Sequence, residues 1–190
     1  MQESEIKDLR KPKPFLSEEN DFFDFYIGVN SGKRLYGKIY DAKKSIKIIS
    51  PFLTDKMTEE LSNRSKEIPI DIFLITTVSE KSNNKHLSAI KNCFRCIRGS
   101  EYRVFYNSVF FIGELLHEKI YIIDDEIAFA GSLNFTNRGI NDNIESVIMF
   151  KKTDMVQKII TYFNKLHTTE SIPRWEISDL DEMIRSKQIK

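Results

Sequence analysis

The chain has 190 residues, enough to bury one α/β core and short for two independent ones. Charged residues make up 30 % of it, yet the formal charge is only +1, which excludes a basic field spread over the whole surface and an acidic, disordered chain alike. No run reaches the roughly 20 apolar residues of a membrane span, and the opening MQESEIKDLRKPKP lacks the apolar centre of a leader, so a soluble, cytoplasmic protein with no membrane contact is expected.

Residues 1–27 read as an N-terminal extension, with Lys11-Pro12-Lys13-Pro14 followed by an aromatic cluster at Phe22, Phe23, Phe25 and Tyr26. Leu35, Ile39 and Ala42 recur at helical spacing over residues 32–44, and the run from Ser45 to Ile49 then switches to strand character. Pro51 ends that strand, Thr54 is placed to cap a helix through Ser65, and residues 68–75 form the next strand. A third helix is predicted over residues 84–97, with strands over 102–106, 117–123, 127–130 and 144–150 and a helix from Asp154 to about Leu166. Helices alternating with strands early and a tight hairpin late indicate an α/β fold, a mixed and mostly parallel sheet flanked by helices, over residues 28–168. Residues 169–190 form a C-terminal tail with a short helix from Ser178. Cys93 and Cys96 sit three apart on a helix with no second Cys or His pair to complete a zinc site, so both are assigned to the core and no metal or cofactor is expected.

Residues 117–145 do not read as ordinary core. The run His117-Glu118-Lys119-Ile120-Tyr121-Ile122-Ile123-Asp124 puts His117, Lys119 and Tyr121 on one face of a strand and Ile120 and Ile122 on the other. An imidazole beside a fixed cation suits a nucleophile next to an anion-holding group when the substrate is a phosphate. Asp124-Asp125 turns the chain, and the return strand brings Gly131, Ser132 and Asn134 back to the same end: glycine for close backbone approach, the other two as short polar groups. Glu145 adds a carboxylate able to hold an imidazole N–H and fix its tautomer.

His117, Lys119 and Asp124 match the HxK(x4)D signature of the phospholipase D superfamily, and Gly131-Ser132-Leu133-Asn134 matches its GSxN segment. Together with Asn143-Ile144-Glu145 they resemble in particular the small bacterial nucleases of that family that carry one such motif per chain. The resemblance implies a two-step displacement. His117 attacks phosphorus to give a phosphohistidine, a second histidine protonates the leaving oxygen, and water then releases the phosphate. It implies further that Lys119 and Asn134 hold the non-bridging oxygens, that Ser132 supports them, that Glu145 orients His117, and that Asp124 and Gly131 are structural. His86 is followed two residues on by Ser88 and His167 by Thr169, so the chain holds half a site, and a homodimer with facing copies of His117 is expected.

Residues 81–100 contain Lys81, Lys85, Lys91, Arg95 and Arg98 and no acidic residue. Lys91, Arg95 and Arg98 share a helical face suited to a phosphate backbone, and Arg138 and Tyr121 are further candidate substrate contacts. The expected activity is therefore a metal-independent endonuclease acting on DNA or RNA, with little sequence specificity unless a partner protein supplies it. The alternatives are a lipid phosphodiesterase and a catalytically silent nucleic-acid-binding subunit of a larger complex.

Overall fold

The computed structural model describes residues 16–78, 82–94, 101–106, 116–151, 153–168 and 177–188. In chain order these form β1 (Leu16–Glu19), β2 (Phe23–Gly28), α1 (Gly32–Asp41), β3 (Ser45–Ile49), α2 (Asp55–Glu67), β4 (Asp71–Val78), α3 (Asn84–Phe94) and β5 (Glu101–Tyr106). They continue with β6 (Ile120–Ile123), β7 (Ile127–Gly131), α4 (Asn137–Asn141), β8 (Glu145–Lys151), α5 (Asp154–Thr168) and α6 (Ile177–Gln188). Among the described residues no helix is long and apolar enough to cross a membrane.

The strands make one sheet in the order β1-β2-β8-β7-β6-β3-β4-β5. The α/β class with flanking helices is as expected, but the balance of strand directions is not. Only β3–β4 and β4–β5 are parallel, and the other five pairings are antiparallel. Parallel neighbours need a crossover, and α2 and α3 supply one each; links as short as Asn20–Phe22 and Asp124–Glu126 permit only hairpins. In the second of these, Asp124 and Asp125 both adopt positive φ, 56° and 57°, the geometry of the turn that matches the twist of a two-stranded ribbon.

The segment read as an extension contributes β1 and β2 to the sheet, β2 pairing with β8 from Phe23↔Phe150 to Gly28↔Glu145. Its alternation is inverted relative to hydrophobicity. Asp24 and Tyr26 are buried while Phe23, Phe25 and Ile27 are half-buried, and Asp24 is neutralised by Lys151. Asn20 makes the preceding turn, its carboxamide oxygen accepting from the N–H groups of Phe22 and Phe23 at 2.9 Å each.

Period-two alternation sends the two faces of the sheet into two cores. Ile46, Ile48, Ile72, Leu74, Tyr121 and Ile123 join residues of α1–α4 and α6 in the larger one, and Ile49, Ile75, Ile122 and Ala128 meet Val156, Ile160 and Phe163 of α5 in the smaller. Cys93 belongs to the larger core at 1 % exposure, while Cys96 lies outside the described residues. Thr54 does not cap α2 with its side chain; its hydroxyl accepts instead from the N–H of Asn137 at 3.0 Å and so ties the start of α2 to the start of α4.

Candidate active site

Four neighbouring strands deliver their ends to one edge of the sheet. Because the pairings are antiparallel, β6 and β8 begin where β7 and β3 finish. Strand β6 is shorter than the sequence suggests, and His117-Glu118-Lys119 form an arm ahead of it. The neighbouring β3 ends just short of Pro51, which has no N–H to continue a ladder. Lys119 falls on the side of Tyr121 and Ile123 and is only 6 % exposed, whereas His117 is exposed. The Lys119 ammonium lies 3.0 Å from Nδ1 and 3.1 Å from Nε2 of His117 and also donates to the His117 carbonyl oxygen.

Glu145 opens β8 and is 8 % exposed. One carboxylate oxygen accepts from the Ser132 hydroxyl and the other from the Asn143 amide at 3.1 Å. Ser132 is itself fixed, its hydroxyl accepting from the Ser146 N–H at 3.0 Å. Gly131 allows this approach: a Cβ there would lie 2.1 Å from the Ser146 carbonyl oxygen, a backbone atom with nowhere to go. Beyond it, Leu133-Asn134-Phe135 is held from below. The Tyr121 hydroxyl donates to the Leu133 carbonyl at 2.7 Å, and the Phe135 N–H donates to the Ser50 hydroxyl at 2.9 Å. Asn134 Oδ1 is buried with no hydrogen-bond partner among the described residues.

Burial pushes the Lys119 ammonium below the ordinary lysine range, and the nearby Glu145 carboxylate opposes that shift. Burying a cation and a carboxylate together is a poor way to stabilise a fold and a good way to hold a preorganised field at a substrate. Among the described residues no three His, Cys, Asp or Glu side chains gather as a metal-binding cluster.

The structure thus groups His117 with Lys119, and Glu145 with Ser132, around one edge, and Asn134 follows two residues after Ser132. Both Glu145 oxygens go to Ser132 and Asn143, so the hydrogen bond to His117 read from the sequence is not among the observed ones. Asp124 sits at the opposite end of β6, where its carboxylate accepts from the N–H groups of Lys43, Lys44 and Ser45 and ties the hairpin to the start of β3. Tyr121 is not a substrate contact: it is 2 % exposed, its hydroxyl is engaged, and burial pushes that hydroxyl far up from its ordinary pKa. Lys91 pairs with Asp181 of α6, which docks on α3, so it does not project from a bare basic face. Arg95 and Arg98 lie outside the described residues, and Arg138 is exposed on α4.

Sequence reasoning assigned no role to Asn143 or Ser31. Asn143 lies two residues before Glu145, a spacing that places both on one side of an extended chain. Ser31 lies 2.6 Å from the Gly28 carbonyl and 3.1 Å from that of Glu145, 114 residues away, and nothing local signals it.

The chain matches the family described as "Cardiolipin synthase, PLD-like domain" over residues 35–167. No curated protein matches it. Among solved structures it is similar to NucT from Helicobacter pylori, with a TM-score of 0.62 and 20 % identity over 80 % of this chain and 99 % of that one. Nuc from Salmonella typhimurium, described as a phospholipase D family member, gives 0.59 and 19 % over 75 % and 93 %. The phosphatidylserine synthase of Haemophilus influenzae Rd KW20 gives 0.57 and 11 % over 95 % and 49 %. At these identities the structures speak for the fold; the match over residues 35–167 carries the family, and this chain belongs to the phospholipase D superfamily, as one of its PLD-like domains.

Proposed function

We propose that the protein is a nuclease that cleaves DNA or RNA phosphodiesters without a metal, through a phosphohistidine formed where two copies of the chain meet. The observation that carries this reading is the exposed His117 ring backed by the buried Lys119 ammonium, a nucleophile already beside the charge that would receive a phosphoryl oxygen. An imidazole nitrogen of His117 attacks phosphorus, the N–P bond forms as the P–O bond to the leaving group breaks, and the partner's His117 gives its proton to the departing oxygen. That imidazole then takes a proton from water as the water oxygen attacks phosphorus, which frees His117 and releases the phosphate product. Lys119 and Asn134 hold the non-bridging oxygens. Ser132 and Asn143 keep the Glu145 carboxylate in place behind them.

The need for a second chain is supported by the other two histidines. His86 accepts from the Leu53 N–H on Nδ1 at 3.2 Å and donates from Nε2 to the Thr77 carbonyl at 2.8 Å, so both its nitrogens are used. His167 is buried between the rings of Phe73 and Phe163. Nuclease action is favoured over other phosphodiester chemistry by the similarity to NucT and Nuc, each covered over more than nine-tenths of its length. The lipid reading has two observations for it, the family description and the synthase fold. The deciding experiment offers labelled DNA, RNA and phospholipid to the purified protein in excess EDTA. Cleavage of nucleic acid that His117→Ala abolishes is expected. Turnover of phospholipid alone, or strict dependence on a divalent ion, would end the proposal.

A further inference from the structure

One exposed ring at the rim of this edge has no part in the fold's cores. Strand β3 ends at Ile49 opposite Ile120, and the chain beyond it bends at Pro51 and comes alongside the segment that carries Asn134, Leu53 pairing with Phe135. The backbone there is firmly held. Ser50 donates to the Phe52 carbonyl at 2.8 Å, Leu53 pairs with Phe135, and the Leu53 N–H is taken by His86. Leu53 supplies the burial at this bend, at 4 % exposure, while the Phe52 ring turns outward at 53 %. It meets the His86 ring in a T-shaped contact, with centroids 6.2 Å apart and planes at 61°. The ring therefore stands beside the segment that carries Asn134, at the same end of the sheet as the start of β6 and the His117 arm.

We propose that Phe52 is a stacking platform for an unpaired nucleobase next to the scissile phosphate, and that it makes single-stranded nucleic acid the preferred substrate of this site. The inference rests on the nuclease reading and adds the strandedness of the substrate to it. The ring is anchored at its backbone and touches His86 while more than half of the residue stays exposed, which leaves aromatic surface for a base. Bases inside a duplex have both faces covered by their neighbours and offer none to an outside ring, whereas an unpaired strand does.

The test compares three substrates: a single-stranded oligonucleotide, its duplex, and an abasic strand with the same phosphodiester backbone. Wild type, Phe52→Ala and Phe52→Tyr are measured on each. Phe52→Ala is expected to lose about tenfold more rate on the base-bearing single strand than on the abasic one, the factor that ~1.4 kcal/mol of stacking represents, and Phe52→Tyr to recover it. Equal losses on both strands, or no loss, overturn the proposal. Light scattering on the same variants gives a separate check, because a dimer that falls to monomers in Phe52→Ala reassigns the ring to a subunit contact. Phe52→Trp in a Trp175→Phe background reads stacking without turnover. Quenching by the oligonucleotide and not by the abasic strand supports it, and equal quenching by both refutes it. That readout decides the stacking claim even where the wild type cleaves neither strand, a result that would remove the nuclease reading alone.

Discussion

Replacing Asp124 separates the architectural end of the motif from its chemical end. Its carboxylate accepts from three successive backbone N–H groups, those of Lys43 at 3.0 Å, Lys44 at 2.7 Å and Ser45 at 3.0 Å. The donors at Lys43 and Lys44 are exposed and would turn to water, at roughly 0.5–1 kcal/mol each. The bond from Ser45 is part-buried, and an orphaned donor there costs roughly 1–2 kcal/mol. Asp124 also holds φ at 56°, where alanine adds about 1 kcal/mol and glycine adds none. Asp124→Ala should therefore lose about 3–5 kcal/mol in urea unfolding, and Asp124→Gly about 1 kcal/mol less than that. At ~2–4 °C per kcal/mol for a chain of this size, the alanine variant melts on the order of 10 °C lower. Cleavage per folded molecule, measured well below that melting point, should stay near wild type. An alanine variant within 1 kcal/mol of wild type, or a fully folded one without activity, would refute the reasoning.

The buried ammonium at Lys119 gives a pH prediction with a definite sign. Its pKa is lowered by burial, so the charge is lost as pH rises through a value below the ordinary ~10.4, and the alkaline limb of the pH–rate profile should fall there. Lys119→Arg, where it retains activity, should move that limb upward. Over the window between the lowered and ordinary values the unfolded chain binds the proton more tightly, so stability measured against Lys119→Met should rise with pH; a fall would contradict the burial. Gly131→Ala drives a Cβ to 2.1 Å from the Ser146 carbonyl and forces β7 and β8 apart at the site, so a loss of more than about 3 kcal/mol is expected by denaturant melt.

Legibility in the sequence followed the range of the interactions. The α1–β3 and α2–β4 units and the β6–β7 hairpin were readable because their periodicity and turn residues are local. The closeness of His117 to Lys119 was readable because the two lie two residues apart on an extended segment. Strands β1 and β2 were hidden by Asp24, a carboxylate at a buried position whose neutralising Lys151 lies far away. The strand directions were misjudged because helix–strand alternation marks crossovers only over the middle third, while the rest of the sheet combines two hairpins with antiparallel pairings between strands distant in sequence, β2 with β8 and β3 with β6. Lys91 looked free because its partner Asp181 is 90 residues distant, and Tyr121 looked accessible because alternation tells which side a residue takes and not what covers that side.

Each chain offers solvent a lone imidazole, with the other two locked into packing. A reaction that consumes one ring as attacker and another as proton source then obeys the statistics of pairing. If the proposed dimer carries the reaction, mixing intact subunits with His117→Ala subunits should leave every hybrid short of a ring, and turnover should track the square of the intact fraction. For the proposed dimer, dilution below its dissociation constant should then lower turnover per chain in step with the loss of dimer.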